Sequence, residues 1–470
     1  MLSRMNNQNE ILLLSCYELG HQPVSLGWPL ATLQQAGLSA VAVDLSISHL
    51  YEDAVQNARL IAIAAPMHTA LRLGVDVAHQ VRAINPQAHI TFFGLYAWLN
   101  REYLLHANGD SAVADSVIAG EYETPLVELA RALSAGGSAA GVDGITTGEK
   151  TAQPHLVRLP LPVPDRSSLP PLARYAHYMA DGESHLAGYV EASRGCLHTC
   201  RHCPVVPIYN GRFFIVPAET VLADIRQQVA AGARHITFGD PDFLNGPGHA
   251  LKVAEALHAE FPFVTFDFTT KVEHILEQRE TVARLRAVGA TFAVSAFDST
   301  SDAVLARLQK GHTVAQMDEA LAVLAEIGLA VQPTWMPFTP WTSLDDYLVM
   351  LAWIRSRGLI SSTVGVQMSI RMLVPPGSAI LDHPDVETWR GELDAANFTW
   401  RWDHPDPRMD ALQREVAFIA EDADSASDPW SVFDAIEYTA YTAAGRTAPS
   451  HPRPAFFPPP PPRLTEDWFC

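Results

Sequence analysis

Apolar positions in the amino-terminal part of the chain fall into short, nearly continuous runs separated by amphipathic stretches. "ILLLSC", "SAVAVDL", "RLIAIAAP", "HITFFG" and "SVIAG" have the pattern of strands buried on both faces. Between them, "WPLATLQQAG", "ALRLGVDVAHQVRAI" and "ETPLVELARALSAG" repeat apolar residues at helical spacing. Strand and helix in alternation predict a doubly wound, Rossmann-like parallel sheet over residues 1–135. Ligands of such sheets sit at the carboxyl ends of the strands, here near Glu18 to Gly27, Asp44, Pro66 to Thr69, Gly94 to Tyr96 and Gly120 to Glu123.

Residues 136–185 are rich in Gly, Pro and Ser, as in "GGSAAGVDGITTGEK" and "LPLPVPDRSSLPPL", and read as a linker. A second alternating series follows over residues 186–380, with "AGYVEAS", "HITFGD", "FVTFDFTT", "TFAVSAFD", "LAVQPTWM" and "TVGVQMSIRML" as strands. Six such units predict an α/β barrel, or part of one, with its chemistry at the strands' carboxyl ends. Residues 381–450 form a short, mainly helical region that includes "MDALQREVAFIAED". In the tail, 451–470, the prolines Pro458 to Pro462 predict an extended arm carrying Trp468, Phe469 and Cys470.

Composition narrows the function classes. With 470 residues the chain exceeds one ordinary core, and 48% hydrophobic against 18% charged residues is the balance of a folded protein. A formal charge of −20 argues against holding a polyanion, so nucleic acid is not an expected partner. Five cysteines, an odd number with three clustered, do not make an extracellular disulfide framework and fit a reducing cytoplasm. The first apolar run is too short for a signal peptide, and no run is long enough to cross a bilayer. Cys16, at the end of the first strand, reads as inert core.

The cluster lies in "EASRGCLHTCRHCPVV", just after the first strand of the second series, where Cys196-x3-Cys200-x2-Cys203 offers three thiolates to one inorganic core. Structural zinc sites and electron-transfer iron–sulfur clusters want four protein ligands, and no second Cys pair is present. With three, a [4Fe–4S] cluster keeps one iron open. Histidines beside a cluster are more often hydrogen-bond donors to sulfur, so His198 and His202 are not counted as metal ligands.

At these residues the sequence resembles the radical S-adenosylmethionine (radical SAM) superfamily, whose hallmark is C-x3-C-x2-C after the first strand of a partial (β/α)6 barrel. The resemblance implies that Cys196, Cys200 and Cys203 hold the cluster while SAM chelates the open iron. It further implies that an electron passed to the sulfonium, from a donor such as flavodoxin or ferredoxin, starts radical chemistry on a small-molecule substrate. His202 stands where the family often has an aromatic residue against adenine. In "GDPD", Gly239 and the carboxylates Asp240 and Asp242 sit where the SAM amino group is received, Asp240 being the preferred candidate over Asp242; the alternative is an Asp-Pro turn with a helix cap. Lys271 and Glu273, two apart after the third strand, read as a charge pair or substrate contacts at the barrel mouth, or as a buried structural ion pair. In "FAVSAFDSTSDAVLARLQKGHT", Ser295 and Asp298 are the candidates for the SAM ribose. Gln367, Ser369 and Arg371 alternate inward on the sixth strand, where Arg371 either clamps the SAM carboxylate or pairs with an acid below the site. Trp335, Phe338 and Trp341 are an apolar lid or plain core.

A doubly wound domain ahead of such a barrel is similar to the cobalamin-binding branch of the superfamily. The chain lacks D-x-H-x-x-G, so no histidine is marked as a cobalt ligand, although several branch members lack it too. "CYELGHQPVSLGWP" reads either as a corrinoid-tail loop or as a vestige. The tail is also similar to a group whose chains end in a cysteine- or selenocysteine-containing segment. The expected function is radical modification of an unactivated carbon of a small molecule, with cobalamin-dependent methylation as one form. Formation of a carbon–heteroatom bond, or cleavage of a different SAM bond, with Cys470 binding a soft element, is the first alternative. A non-catalytic iron–sulfur or zinc carrier is the second.

Overall fold

The computed structural model describes residues 10–106, 112–423, 428–452 and 460–466; Trp468, Phe469, Cys470 and the first two of the five consecutive prolines lie outside them. The first sheet holds β1 (Ile11–Ser15), β2 (Ala40–Asp44), β3 (Leu60–Ala64), β4 (His89–Phe93), β5 (Ser116–Ile118) and β6 (Ile145–Thr146) in the order β2-β1-β3-β4-β5-β6. β1 to β5 run parallel, and β6 is added antiparallel to β5. Every residue of β1 and β3 is buried, which is why these strands read as unbroken apolar runs and not as alternating ones.

The second sheet holds β7 (His177–Ala180) and β8 (Glu183–Val190) and, after the small hairpin β9 (Ser193–Gly195) and β10 (Phe213–Ile215), continues with β11 (His235–Phe238), β12 (Thr265–Thr270), β13 (Ala290–Asp298) and β14 (Ala330–Trp335). A carboxyl-terminal hairpin, β15 (Arg390–Asp394) and β16 (Thr399–Trp402), is followed by two helices, Pro407–Asp422 and Pro429–Ala443. β17 (Arg463–Leu464) returns to the second sheet, whose order is β14-β13-β12-β11-β8-β7-β17. Five of these strands, β8 and β11 to β14, are parallel and carry helices on their outer side, so the expected α/β fold class holds.

The sixth strand does not form. "TVGVQMSIRML" folds instead into a 3-10 turn at Gly365–Met368, and a single bridge, Phe338 with Arg371, is all that remains of the pairing. Two contacts account for it. The Gln367 side-chain oxygen accepts the Trp335 backbone N–H at 2.8 Å, at the point where a sixth strand would pair. Gly365 packs against Ala420 and Val432 of the carboxyl-terminal helices, and the Gln413 amide donates to the Ser369 carbonyl at 3.1 Å. The helices thus draw this segment away from the sheet.

The Gly/Pro/Ser-rich stretch is structured: it supplies β6 and β7, and Arg166 from it is buried with a bidentate bond to Asp224 at 2.7 and 2.9 Å. Arg166 also donates to the Gln22 side chain at 3.0 Å and the Tyr189 carbonyl at 2.7 Å, locking the loop after β1 to the second sheet. In that loop Glu18 is buried and accepts from the Ser25 hydroxyl at 2.5 Å and the Val24 N–H at 3.1 Å. Burial, with Glu191 and Asp44 nearby, pushes its carboxyl up to about 8. The folded protein therefore keeps a proton that the unfolded chain releases near the ordinary glutamate value, and stability falls as pH rises from about 4.5 to about 8. Glu18→Gln should flatten this slope by up to about 1.4 kcal/mol per pH unit, checked by urea denaturation at pH 6 and pH 8.

Candidate functional site

The cysteine loop is tied at its base by the β9–β10 pairing, which sets Gly195 opposite Phe213. Cys196 donates its N–H to the Arg212 carbonyl at 3.0 Å, Cys203 to the Cys200 carbonyl at 3.1 Å, and Arg201 to the Leu308 carbonyl at 2.9 Å. Gly195 turns the chain with φ +78, and a Cβ there would lie 2.5 Å from both the Arg212 oxygen and the Tyr209 ring. Gly195→Ala should therefore lower stability by about 1–3 kcal/mol, read from the denaturant midpoint, and reduce iron retention.

Cys196 and Cys200 are buried and Cys203 half-buried. Asn245, from the loop after β11, places its side-chain oxygen 3.9 Å from the Cys196 sulfur and 3.3 Å from the Leu197 nitrogen. Burial pushes the Cys196 thiol up. On the other side Lys310 is buried and pairs with Asp298 at 2.8 Å. Burial opposes its charge, but Asp298 together with Cys200 and Cys203 more than offsets that and holds its ammonium above the usual lysine range. A fixed cation facing two sulfurs favours their anionic form.

Asp298 ends β13 at a bulge, with φ +60, and its carboxyl lies 3.5 Å from His202. Burial raises that carboxyl, but Lys310 and His202 hold it below the ordinary aspartate range. His202 is pushed down to about 4 by burial, so it is neutral near pH 7. Lys271 caps the helix Val272–Glu277 and is not on a strand; it still pairs with Glu273, and its ammonium lies 3.1 Å from His198 Nδ1. Gly311, with φ +79, lets the Glu273 carboxylate approach to where any Cβ would collide at 1.9 Å.

The two aspartates of "GDPD" are already engaged. Asp240 is buried and accepts from the Ser193 hydroxyl and the Ala192 N–H, wedging β11 against the start of β9; burial pushes it up to about 7. Asp242 caps Phe243–Asn245, accepting from the Leu244 N–H at 3.1 Å and the Thr270 hydroxyl at 3.2 Å. Its second oxygen lies 2.9 Å from His274 and 3.4 Å from His198, so Asp242, and not Asp240, adjoins the cysteine loop. At Gly239 the Tyr189 ring lies 2.0 Å from where a Cβ would be, so tyrosine packs against that side of the backbone.

Ser295 and Arg371 are not brought to the mouth. Ser295 alternates with Ala293 and Phe297 on the face packed against the helices, whereas Phe292 and Val294 face the lumen. The Arg371 guanidinium pairs with Asp410 at 2.5 Å, donates to the Trp402 carbonyl and stacks 3.5 Å from the Trp402 ring centre. Gln367 is spent on Trp335. Trp335 and Phe338 are buried core, and Trp341 packs with Trp389 and His383. Residues that sequence reasoning left without a role are Lys310 and His312 of the "KGHT" turn, Asn245, His274 and Arg194. The turn itself was visible in the sequence; the others have no local signal.

Two observations bear on whether these residues fit an iron–sulfur cluster. Three cysteine side chains share one pinned loop beside a buried cation. Around them, among the described residues, buried polar atoms lack a hydrogen bond: both ring nitrogens of His312, His202 Nδ1, Asn245 Nδ2 and Thr300 Oγ1. Such atoms are rare in a finished core and are expected around a site that takes a ligand. The donor set fits.

The model of the radical SAM superfamily matches residues 190–348. Those residues are a radical SAM domain. The protein is accordingly an enzyme, and the cofactors of that domain are a [4Fe–4S] cluster and SAM. In sequence, 29% identity over 152 residues relates the chain to tRNA-2-methylthio-N(6)-dimethylallyladenosine synthase of Chlorobium chlorochromatii (strain CaD3), spanning 31% of this chain and 33% of that protein. In fold, the structure of OxsB, a cobalamin-dependent S-adenosylmethionine radical enzyme, superposes with a TM-score of 0.68 at 13% identity, covering 93% of this chain and 72% of that one. TsrM from Kitasatospora setae, a radical S-adenosylmethionine methyltransferase, gives 0.60 at 14% identity over 74% and 71%. The radical SAM domain thus follows a first parallel sheet, the arrangement in fold that OxsB and TsrM share. No helix among the described residues is long and apolar enough to cross a membrane.

Proposed function

We propose that the protein is a cobalamin-dependent radical SAM enzyme that methylates an unactivated carbon of a small molecule. The observation that carries this reading is one buried cluster shared by the two sheets: Leu95, Trp98 and Ala119, at the carboxyl ends of β4 and β5, belong to it together with Cys196, Cys203 and Tyr209. Carboxyl ends of an open parallel sheet are where ligands bind, and here they face the cysteine loop. Residues 1–135 would hold the corrinoid, residues 186–380 the cluster and SAM, with 136–185 joining them and 381–450 packing alongside. The likeness in fold supports the cofactor: OxsB and TsrM have been solved with cobalamin bound.

Cys196, Cys200 and Cys203 would hold the cluster, whose chemistry when bound would be donation of an electron to SAM to break a carbon–sulfur bond. Lys310 balances negative charge on the sulfurs. Neutral His202, between Cys200 and Cys203 in sequence, keeps a buried Nδ1 without a hydrogen bond. Glu273 and Asp298, at the carboxyl ends of β12 and β13, are the carboxylates suited to a cationic or hydroxylated ligand, Lys271 orienting the first and Lys310 the second. Asp240 and Arg371 take structural roles.

Anaerobically purified protein should contain iron and sulfide for one [4Fe–4S] cluster and one cobalt per chain. On reduction, through flavodoxin or ferredoxin, it should consume SAM. Zinc without inorganic sulfide would exclude the reading, and iron with SAM cleavage but no cobalt uptake would exclude its cobalamin part.

A further inference from the structure

Among the described residues the parallel strands of the second sheet do not close on themselves: β14 pairs with β13 alone, and the other flank continues into the antiparallel β7. The segment Pro460–Glu466 lies across that gap. Leu464 pairs with Tyr178 and Arg463 with Met179 of β7. Thr465 donates its N–H to the His177 carbonyl at 2.8 Å and its hydroxyl oxygen accepts the His177 N–H at 2.8 Å. On the far side the Gln332 amide of β14 donates to the Pro462 carbonyl at 2.9 Å. The Leu464 side chain is buried among Tyr178, Phe292 and Val294, inside the lumen. Beyond it the Glu466 carboxylate accepts from the Tyr17 hydroxyl at 2.6 Å and presses on Gly20, so the segment is also fastened to the first sheet's β1 loop.

We infer that Pro460–Glu466 is a closing wall that sets substrate size: it seals the lateral opening of the barrel and restricts entry to molecules small enough to come in at the mouth, beside the cysteine loop. The inference deepens the function proposed above and takes its site from that reading. Three features support a wall in preference to a tail resting on the surface. It bonds to both flanking edges, it inserts an apolar side chain into the lumen, and proline on its outer side leaves few free N–H groups for a further strand. A folded domain or a nucleic-acid loop approaching from this side would meet Leu464 and Pro462, not the lumen.

The test uses the holoprotein with Cys470→Ser and a reporter thiol, Val294→Cys, whose side chain lines the lumen next to Leu464. Labelling by a polymer-linked maleimide is timed with the wall in place and with Leu464→Asp, which puts a charge in that apolar contact. The wall predicts labelling at least about tenfold slower with Leu464 present. Equal rates in the two proteins overturn it. Cluster absorbance and circular dichroism verify that the Leu464→Asp protein is folded; if it is not, deletion of residues 460–470 replaces it in the same comparison. Labelling needs no turnover, so a failure here leaves the SAM-cleavage test of the function standing, and a failure there leaves the wall standing.

Discussion

Cys200→Ala is expected to abolish SAM cleavage while leaving the fold intact. The backbone bonds that shape the loop do not involve the Cys200 sulfur: Cys196 to Arg212, Arg201 to Leu308 and the Cys203 N–H to the Cys200 carbonyl all survive the change. Losing one buried sulfur should alter stability of the metal-free chain by only about 1 kcal/mol. The consequence for the cluster is of another size, because two remaining thiolates leave two irons without protein ligands. Iron and sulfide content should fall to background, and 5′-deoxyadenosine formation by at least about a thousandfold, equal to about 4 kcal/mol of barrier. Lys310→Met is the informative companion, since it removes the cation that faces Cys200 and Cys203 and touches no sulfur. A Cys200→Ala protein that keeps a full cluster and cleaves SAM would show that these three cysteines are not the ligand set.

How much of this was readable in the sequence depends on whether the determining contact is local. β1 and β3 announce themselves because burial on both faces makes their residues continuously apolar. C-x3-C-x2-C announces itself because all three thiols come from one loop. Ser295 and Asp298 were put at the ribose by the family resemblance, which fixes no strand face: alternation with Ala293 and Phe297 turns Ser295 toward the helices, while the bulge between Ala296 and Asp298 lets Asp298 reach the mouth. The sixth strand was lost to contacts made by helices some fifty residues later, which no window over "TVGVQMSIRML" contains. Arg371 shows the same dependence, since its partners Asp410 and Trp402 belong to the carboxyl-terminal region. A run of prolines reads as a free arm because proline cannot donate to a ladder, yet the residues directly after it, Arg463 and Leu464, complete a sheet.

Arg194 has no local signature and carries the second large expectation. Its guanidinium is buried and reaches Glu121 at 3.1 Å and Glu123 at 2.7 Å from the first sheet, and Glu191 at 3.0 Å beside β8. It also lies over the rings of Tyr122 and Trp28, and Tyr209 donates to the second Glu121 oxygen at 2.8 Å. Arg194→Met should destabilise the protein by about 3–5 kcal/mol, because it leaves buried carboxylates without their counter-charge. The loss should also depend on pH. Glu123 is already pushed up to about 7 by burial, with Arg194 opposing the rise. Without Arg194 the folded state holds its proton still more tightly, while the unfolded chain releases it near the ordinary value. Stability of the variant must then fall more steeply than that of the parent as pH rises from 6 to 8. Adding Glu123→Gln to Arg194→Met should restore part of the loss and most of the parent's pH dependence, as measured by denaturant unfolding at the two pH values. Because Arg194 directly precedes Gly195 and Cys196, the same variant loosens the cysteine loop from the carboxyl ends of β4 and β5. Cluster content of the single variant should therefore recover in step with stability when Glu123→Gln is added, and a cluster that stays lost while stability returns would show that Arg194 acts on the loop by a route other than these carboxylates.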